Sequence, residues 1–344
     1  MKKLMFALPL VALVAACGGN GGDKSTGSDI KIVGSSTVYP FTKAAAEEFQ
    51  RANPGTSVIV ESTGTGAGMK LFCAGVGNAY PDIVDASRAM KASEYADCVK
   101  AGAKTIIQIP IGIDGLTLIE GKDAQPLNLT VADIYKALAA NPFGKPNTAK
   151  TWKDVNPALP ALKIRVLGPP PTSGTRDSLA DLILTKGCET DPAMKALKKS
   201  DEKKQQVICT KIREDGVYVE AGENDNLLVQ KVAADPGTLG VLGYSYLEEN
   251  ADKIKAVSLA GVTPTEATIA DLSYPGSRKL YLYTKGEHIA AKPSIKQFIT
   301  AYSKLWSKGG MLEKRGLVPF GAADVASATA QAGALTPLDP ATLK

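Results

Sequence analysis

The chain has one histidine, His288, in 344 residues. A Ser-His-Asp triad and a histidine-rich metal centre are hard to build from that. His288 lies in the polar stretch TKGEHIAAKP and is expected to be exposed. Aromatic residues make up only 6% of the chain and the lysines are scattered. No basic stripe interleaved with aromatics therefore marks a nucleic-acid surface. The five cysteines include no C-x-x-C pair, which argues against a zinc ribbon. No G-x-S-x-G elbow occurs. Gly64-Thr65-Gly66-Ala67-Gly68 is spaced G-x-G-x-G rather than G-x-G-x-x-G, and Lys70 falls at the wrong spacing for a P-loop. No pair of carboxylates stands out as a hydrolytic centre. The chain reads as a non-enzyme, with no catalytic residue, metal or cofactor.

Long apolar runs are also missing, except at the start. Lys2 and Lys3 precede LMFALPLVALVAA, which is too short and too proline-interrupted to span a bilayer. It ends in Leu13-Val14-Ala15-Ala16-Cys17, a match to a bacterial lipobox. Residues 1–16 thus read as a lipoprotein signal peptide, Cys17 as the lipidated residue and the Gly/Ser-rich 17–28 as a flexible tether. The expected location is the periplasm or cell surface, lipid-anchored. Gly18 in place of an aspartate favours the outer membrane. What remains is large for one core and suggests two domains. It holds four cysteines, Cys73, Cys98, Cys188 and Cys209. An even count in an exported chain suggests two disulfides, in one of three connectivities. Cys73–Cys98 and Cys188–Cys209 are favoured, because each closes a short loop of about 20–25 residues within one domain.

What the chain does have is one local pattern, three times over. Gly34-Ser35-Ser36-Thr37-Val38 precedes the helical run FTKAAAEEFQ. Thr63-Gly64-Thr65-Gly66-Ala67-Gly68 precedes MKLFCAG, and Thr172-Ser173-Gly174-Thr175-Arg176 precedes DSLADLILTK. A helix start carries unpaired N–H groups and a partial positive charge. Glycine lets an anion approach the backbone, and Ser or Thr adds a hydroxyl. One such loop is an ordinary cap. Three, one of them with an arginine, suggest an anion held between several helix starts.

Strands alternate with helices. DIKIVGSS, TSVIVES, PDIVDASR, IRVLGPP and TLGVLG read as strands, which argues for an α/β fold with largely parallel sheets. TIIQIPIGIDGLTLIEG is β-rich and long enough to cross between two domains, and SRKLYLYTK is a second β-rich stretch. All three loops follow strands, where ligands of such sheets bind. GENDN opens a further helix whose Asn224 caps it or meets a ligand, capping being favoured. The Ala-rich tail ASATAQAGALTPLDPATLK is expected to be loosely held.

GSSTVYPF, STGTGAGMK, DIVDASRAMK and GPPPTSGTRD occur in that order, with the lipobox before them and GENDNLLVQ after. Together they resemble the PstS-type phosphate-binding component of high-affinity phosphate ABC transporters, over most of residues 30–320. The resemblance implies a type II periplasmic binding protein, two α/β lobes joined by a hinge of two crossing strands. Lobe I would be residues 29–112 plus 275–344 and lobe II residues 113–274. The crossings would fall near Ile109-Pro110-Ile111-Gly112 and Tyr274-Pro275, where Pro and Gly suit segments that bend at fixed points. Phosphate in the cleft would meet Ser36, Thr37 and the Val38 N–H, then Thr65 and Gly66, then Ser173, Gly174 and Thr175. Arg88 and Arg176 would be its charge partners, since a guanidinium donates two parallel bonds to phosphate. Either arginine could instead form an ion pair, with Asp177 as a competitor for Arg176. The implied partners are inorganic phosphate and ABC permease subunits, with the membrane reached through a lipid anchor, no nucleic acid, and a monomeric chain.

The chain departs from the family pattern at one place. Many members carry an aspartate where Arg88 stands and an arginine shortly before SGT, where this chain has Gly168-Pro169-Pro170-Pro171. That aspartate accepts the proton of hydrogen phosphate, and sulfate, lacking the proton, is rejected. Asp85, Glu61, Asp114, Glu223 and Asp225 are candidate replacements. A binding protein for sulfate, molybdate or a phosphonate therefore stays open. So do a phosphatase or esterase, and a surface scavenging or signalling lipoprotein without a permease.

Overall fold

The computed structural model describes residues 29–222 and 224–343. The leader 1–16, the lipobox Cys17, the tether 17–28 and Glu223 lie outside the described residues. The first strand β1 (Ile30–Gly34) has parallel partners on both sides, β2 (Val58–Ser62) and β3 (Ile83–Ala86). Next come β4 (Ile106–Gly121), β5 (Asn128–Leu129), β6 (Val166–Gly168), β7 (Tyr218–Glu220), β8 (Leu239–Gly243), β9 (Ile254–Ala256), β10 (Ser258–Leu259) and β11 (Ser277–Lys285). Among the described residues they form a nine-stranded sheet in the order β2-β1-β3-β11-β4-β8-β6-β7, with β9 also on β4, and a separate parallel β5–β10 pair.

The sheet has two parallel halves joined by two antiparallel strands. β11 runs against both β3 and β4. β4 is shared: Ile106 to Gly115 pair with β11, and from Leu116 onward the strand pairs with β8 and then β9. In the second half β6 is parallel to β7 and β8. The β4–β11 ladder slips between Leu280 and Tyr281, opposite Gly112 and Pro110. Proline lacks an N–H for the ladder, so an irregularity there is natural.

β1, β3 and β4 are nearly continuous Ile/Val runs because helices cover both faces. The helix Tyr39–Ala52 turns Phe41, Ala44, Ala45 and Phe49 inward, and Phe49 meets Phe298 of the helix Ser294–Tyr302 edge-on at 5.5 Å. Cys73–Cys98 ties the end of the helix Thr65–Phe72 to the helix Ala92–Lys100. Cys188–Cys209 ties the helix Lys186–Cys188 to Glu202–Thr210. No helix among the described residues is long and apolar enough to cross a membrane.

Two expectations are corrected here. His288 is buried, not exposed. Its Nδ1 lies 2.7 Å from Asp82 Oδ1, and its Nε2 accepts from the Gly77 N–H at 2.9 Å. Asp82 also receives Lys292 Nζ and the Lys31 N–H, so the polar segment folds over a buried carboxylate and satisfies it. The Ala-rich tail is held too. It forms the helix Ala322–Ala334 with Ala328 and Ala332 buried. Gln331 Nε2 then donates to the Gln108 carbonyl and the Leu338 N–H to the Ile106 carbonyl. Alanine is the best helix former, and its small side chain permits close packing.

Candidate functional site

Each of the three loops leaves the carboxyl end of a parallel strand and opens a helix. Loop 1 (Ser35–Val38) joins β1 to the helix Tyr39–Ala52, with Pro40 in the first turn. Loop 2 (Thr63–Gly64) joins β2 to the helix Thr65–Phe72. Neither of these helices is capped by the side chain of its N-cap residue. At the first, the Val38 N–H turns to Ser35 Oγ at 3.4 Å and the Tyr39 N–H to the Ser35 carbonyl at 2.9 Å. Loop 3 joins β6 to the helix Gly174–Ser178, where Ser173 Oγ accepts from the Thr175 N–H, and the helical path continues through Leu179–Thr185. The Gly34 carbonyl accepts from the N–H groups of both Thr63 and Gly64, at 2.9 and 2.6 Å, which locks loops 1 and 2 side by side. Gly34 has φ +146°, and a Cβ there would stand 2.0 Å from the Asp85 carbonyl oxygen. Only glycine lets the strands approach so closely.

Loops 1 and 3 meet across the two halves of the sheet. Thr37 Oγ1 donates to the Gly174 carbonyl at 2.9 Å, and Ser36 Oγ donates to the Asp177 carboxylate. Ser36 and Thr37 thus meet Asp177 and Gly174, with Ser173 and Thr175 adjoining in loop 3, whereas Val38 is buried in the core and its N–H donates to Ser35 Oγ. Loop 2 adjoins loop 1 through the Gly34 carbonyl, and the Ser87 N–H donates to Thr65 Oγ1 at 3.1 Å, with Gly66 next in the helix. Arg88 reaches loop 2, but its fork is taken by Glu94 in two bonds of 2.9 and 2.7 Å. Arg176 lies over the Tyr218 ring at 4.5 Å and donates to the Pro169 carbonyl. Both arginines therefore engage partners within their own half of the molecule.

The guanidinium at the centre is Arg278, which sequence reasoning missed. Its side chain is only 8% exposed. Nη2 donates to Thr37 Oγ1 (2.9 Å) and Ser178 Oγ (2.6 Å), Nε to Asp114 Oδ2 (3.1 Å) and Nη1 to Asp181 Oδ2 (3.0 Å). Ser178 Oγ donates in turn to Asp114 Oδ2 at 2.7 Å. Arg278 opens β11 just after Tyr274-Pro275-Gly276, at the expected crossing. An arginine entering a β-rich stretch directly after Tyr274-Pro275-Gly276 was the signal available.

The candidate acids separate clearly. Glu61 is exposed on the edge strand β2, and Asp225 opens the helix Asp225–Ala234, which Asn224 caps through the Leu227 N–H. Asp114 belongs to the Arg278 network. Asp85 is buried under Gly34 near Thr42, and neither carboxylate oxygen has a hydrogen-bond partner. Burial pushes its pKa up to about 7. Asp177, which bonds Ser36, is also raised, by burial first and then by the neighbouring Asp181.

Asp85 carries a stability prediction. An unfolded chain releases this proton near pH 3.8, whereas the folded chain holds it until about pH 7. Wild-type stability is therefore present below that window and falls as pH rises through it. Asp85→Asn removes the ionisation and is expected to be more stable than wild type at pH 8 by about 2–4 kcal/mol, with the gap closing near pH 4. Urea unfolding across that range checks it. A wild-type advantage at pH 8 would mean that the carboxylate is satisfied in solution.

A sheet split into two parallel halves by two shared strands, with glycine-rich helix starts facing one another across the split, defines a class: two-lobed solute-binding proteins of type II topology. A family model, the PBP superfamily domain, matches residues 20–302, and the chain belongs to that superfamily. It is similar to protein SphX of Synechococcus elongatus, 33% identical over 86% of this chain and 79% of that protein. It is also similar to phosphate-binding protein PstS of Staphylococcus saprophyticus, 31% identical over 89% of this chain and 85% of that one. A crystal structure of a possible phosphate binding protein from Planctomyces limnophilus superposes with a TM-score of 0.69 at 30% identity, covering 89% of this chain and 97% of that chain.

Proposed function

We propose that the chain captures inorganic phosphate between its two lobes and delivers it to ABC permease subunits, with no chemistry done on the anion. The lobes are residues 29–112 with 275–344, and 113–274. The chain acts as a monomer held at the membrane through lipid on Cys17, in the periplasm or at the cell surface. The observation that carries this reading is the contact of loops 1 and 3 around Arg278, where a buried guanidinium held by Asp114 and Asp181 draws together hydroxyls from both lobes. The names of the relatives support phosphate as the anion. Ser36, Thr37, Val38, Ser173, Gly174 and Thr175 would surround it, with Thr65, Gly66 and Arg88 from the adjoining loop and Arg176 beside loop 3. Closure would exclude water, so each donor acts in a drier medium.

Asp177 is the carboxylate best placed to receive the phosphate proton. It accepts from Ser36 Oγ at the contact of loops 1 and 3 and, as a carboxylate, can only accept from the ligand. Sulfate would put an oxygen against it with no proton between them. Calorimetric titration of the phosphate-stripped chain tests both points. Phosphate should bind tightly, with sulfate weaker by at least about a hundredfold. Asp177→Asn should narrow that ratio about tenfold or more. Equal binding of the two anions by wild type would make the ligand another oxyanion, and binding of neither would remove phosphate capture altogether.

A further inference from the structure

An apolar groove of about 740 Å³ runs between the helices Tyr39–Ala52 and Ser294–Tyr302. Phe49 and Ala52 line one wall and Ile289 and Ala301 the other, with Lys296 and Lys304 alongside. No acidic side chain among the described residues lines it. The described chain begins at the same place. Lys292 Nζ, next to Pro293 of the wall, donates to the Asp29 carbonyl at 3.1 Å. The Ile30 N–H donates to the Ser57 carbonyl at 2.8 Å, a few residues past Asn53 of the opposite wall. Asp29 and Ile30 are thus bonded to residues that neighbour each wall in the chain. Residues 17–28 reach at most about 40 Å when fully extended. A membrane attached at Cys17 would be presented to this groove at high effective concentration. The anion loops sit at the other end of β1, about 15 Å away along the strand.

We propose that the groove is a bilayer-facing surface that takes anionic phospholipid. Lys296 and Lys304 meet the headgroup phosphates, and Ala52, Ile289 and Ala301 meet acyl carbons. Two lysines suit an anionic surface, and a concave apolar floor suits a lipid chain. In this pose the anion cleft opens away from the bilayer, toward the solvent that supplies the ligand. The lobe must then lift to offer the cleft to a permease. The proposal uses the anchored reading only for the tether, and the surface can be tested without it.

A chain starting at Gly18 retains every described strand and helix and lacks the leader and Cys17. That chain is floated with vesicles of phosphatidylcholine alone, or with about a third phosphatidylglycerol. Partition should favour the anionic vesicles at least tenfold, weaken with salt, and fall about tenfold or more in Lys296→Glu/Lys304→Glu. Phosphate titration of the double variant should match wild type, since neither lysine is near the anion loops. Equal partition to both vesicle types, or no response to the charge reversal, overturns the proposal. A concentration-dependent dimer in place of vesicle binding overturns it as well, giving the groove to a second copy. The full chain is floated in parallel. Association lost in Cys17→Ala but kept in the lysine variant belongs to the anchor alone, so a failed anchor and a failed groove give different patterns.

Discussion

Arg278→Ala is expected to weaken phosphate binding by a hundredfold or more. The guanidinium ties Thr37 of the first lobe to Ser178 and Asp181 of the second, and it neutralises Asp114 on the shared strand. Hydrogen bonds to a charged donor contribute roughly 1.5–3 kcal/mol each when buried. Removing one partner of a buried ion pair costs about 3–5 kcal/mol, because the other charge is left unpaired. In the variant, Asp114 and Asp181 would present uncompensated negative charge to an arriving anion. Arg278→Ala/Asp114→Asn removes both members of the pair, so it should recover fold stability but not affinity. Calorimetric titration with phosphate, alongside urea unfolding of the same proteins, separates the two effects. Affinity within threefold of wild type in Arg278→Ala would place the anion away from this guanidinium.

The features legible in the sequence were the ones written locally. A β-branched run, then Gly with Ser or Thr, then an amphipathic helix is a contiguous pattern, and all three loops stand at strand ends as that pattern requires. The long β stretch at Ile106–Gly121 was readable for the same reason. Partners distant in the chain were not readable. Arg278 lies 241 residues from Thr37, and no local periodicity records that closure brings them together. Arg88 and Arg176 carried motif-level expectations, yet Glu94 and the Tyr218 ring compete for them, and a side chain's choice among partners is a tertiary outcome. His288 shows the same limit. Its neighbours are polar, but the carboxylate that draws it inward is Asp82, 206 residues away. The alanine tail looked featureless because its buried face is made of methyl groups, which give little hydrophobic periodicity.

Gly174→Ala isolates closure from charge. A Cβ at Gly174 would stand 2.6 Å from the Ser36 carbonyl carbon and oxygen and from the Thr37 Cα. These are backbone atoms of the opposing lobe, so no rotamer change relieves the overlap, and the lobes must stay about an ångström further apart. Thr37 Oγ1 would then lose its bond to the Gly174 carbonyl. No ionisable group changes, and the glycine lies at a helix start, where alanine is well tolerated. Phosphate affinity is expected to fall a hundredfold or more while unfolding in urea shifts by less than about 1 kcal/mol. Small-angle scattering supplies the separate readout. Wild type should contract when phosphate is added, and Gly174→Ala should keep the radius of the ligand-free protein at phosphate concentrations that saturate wild type. A variant that contracts normally and binds normally would mean that the loop 1–loop 3 contact is not the closed contact around the anion.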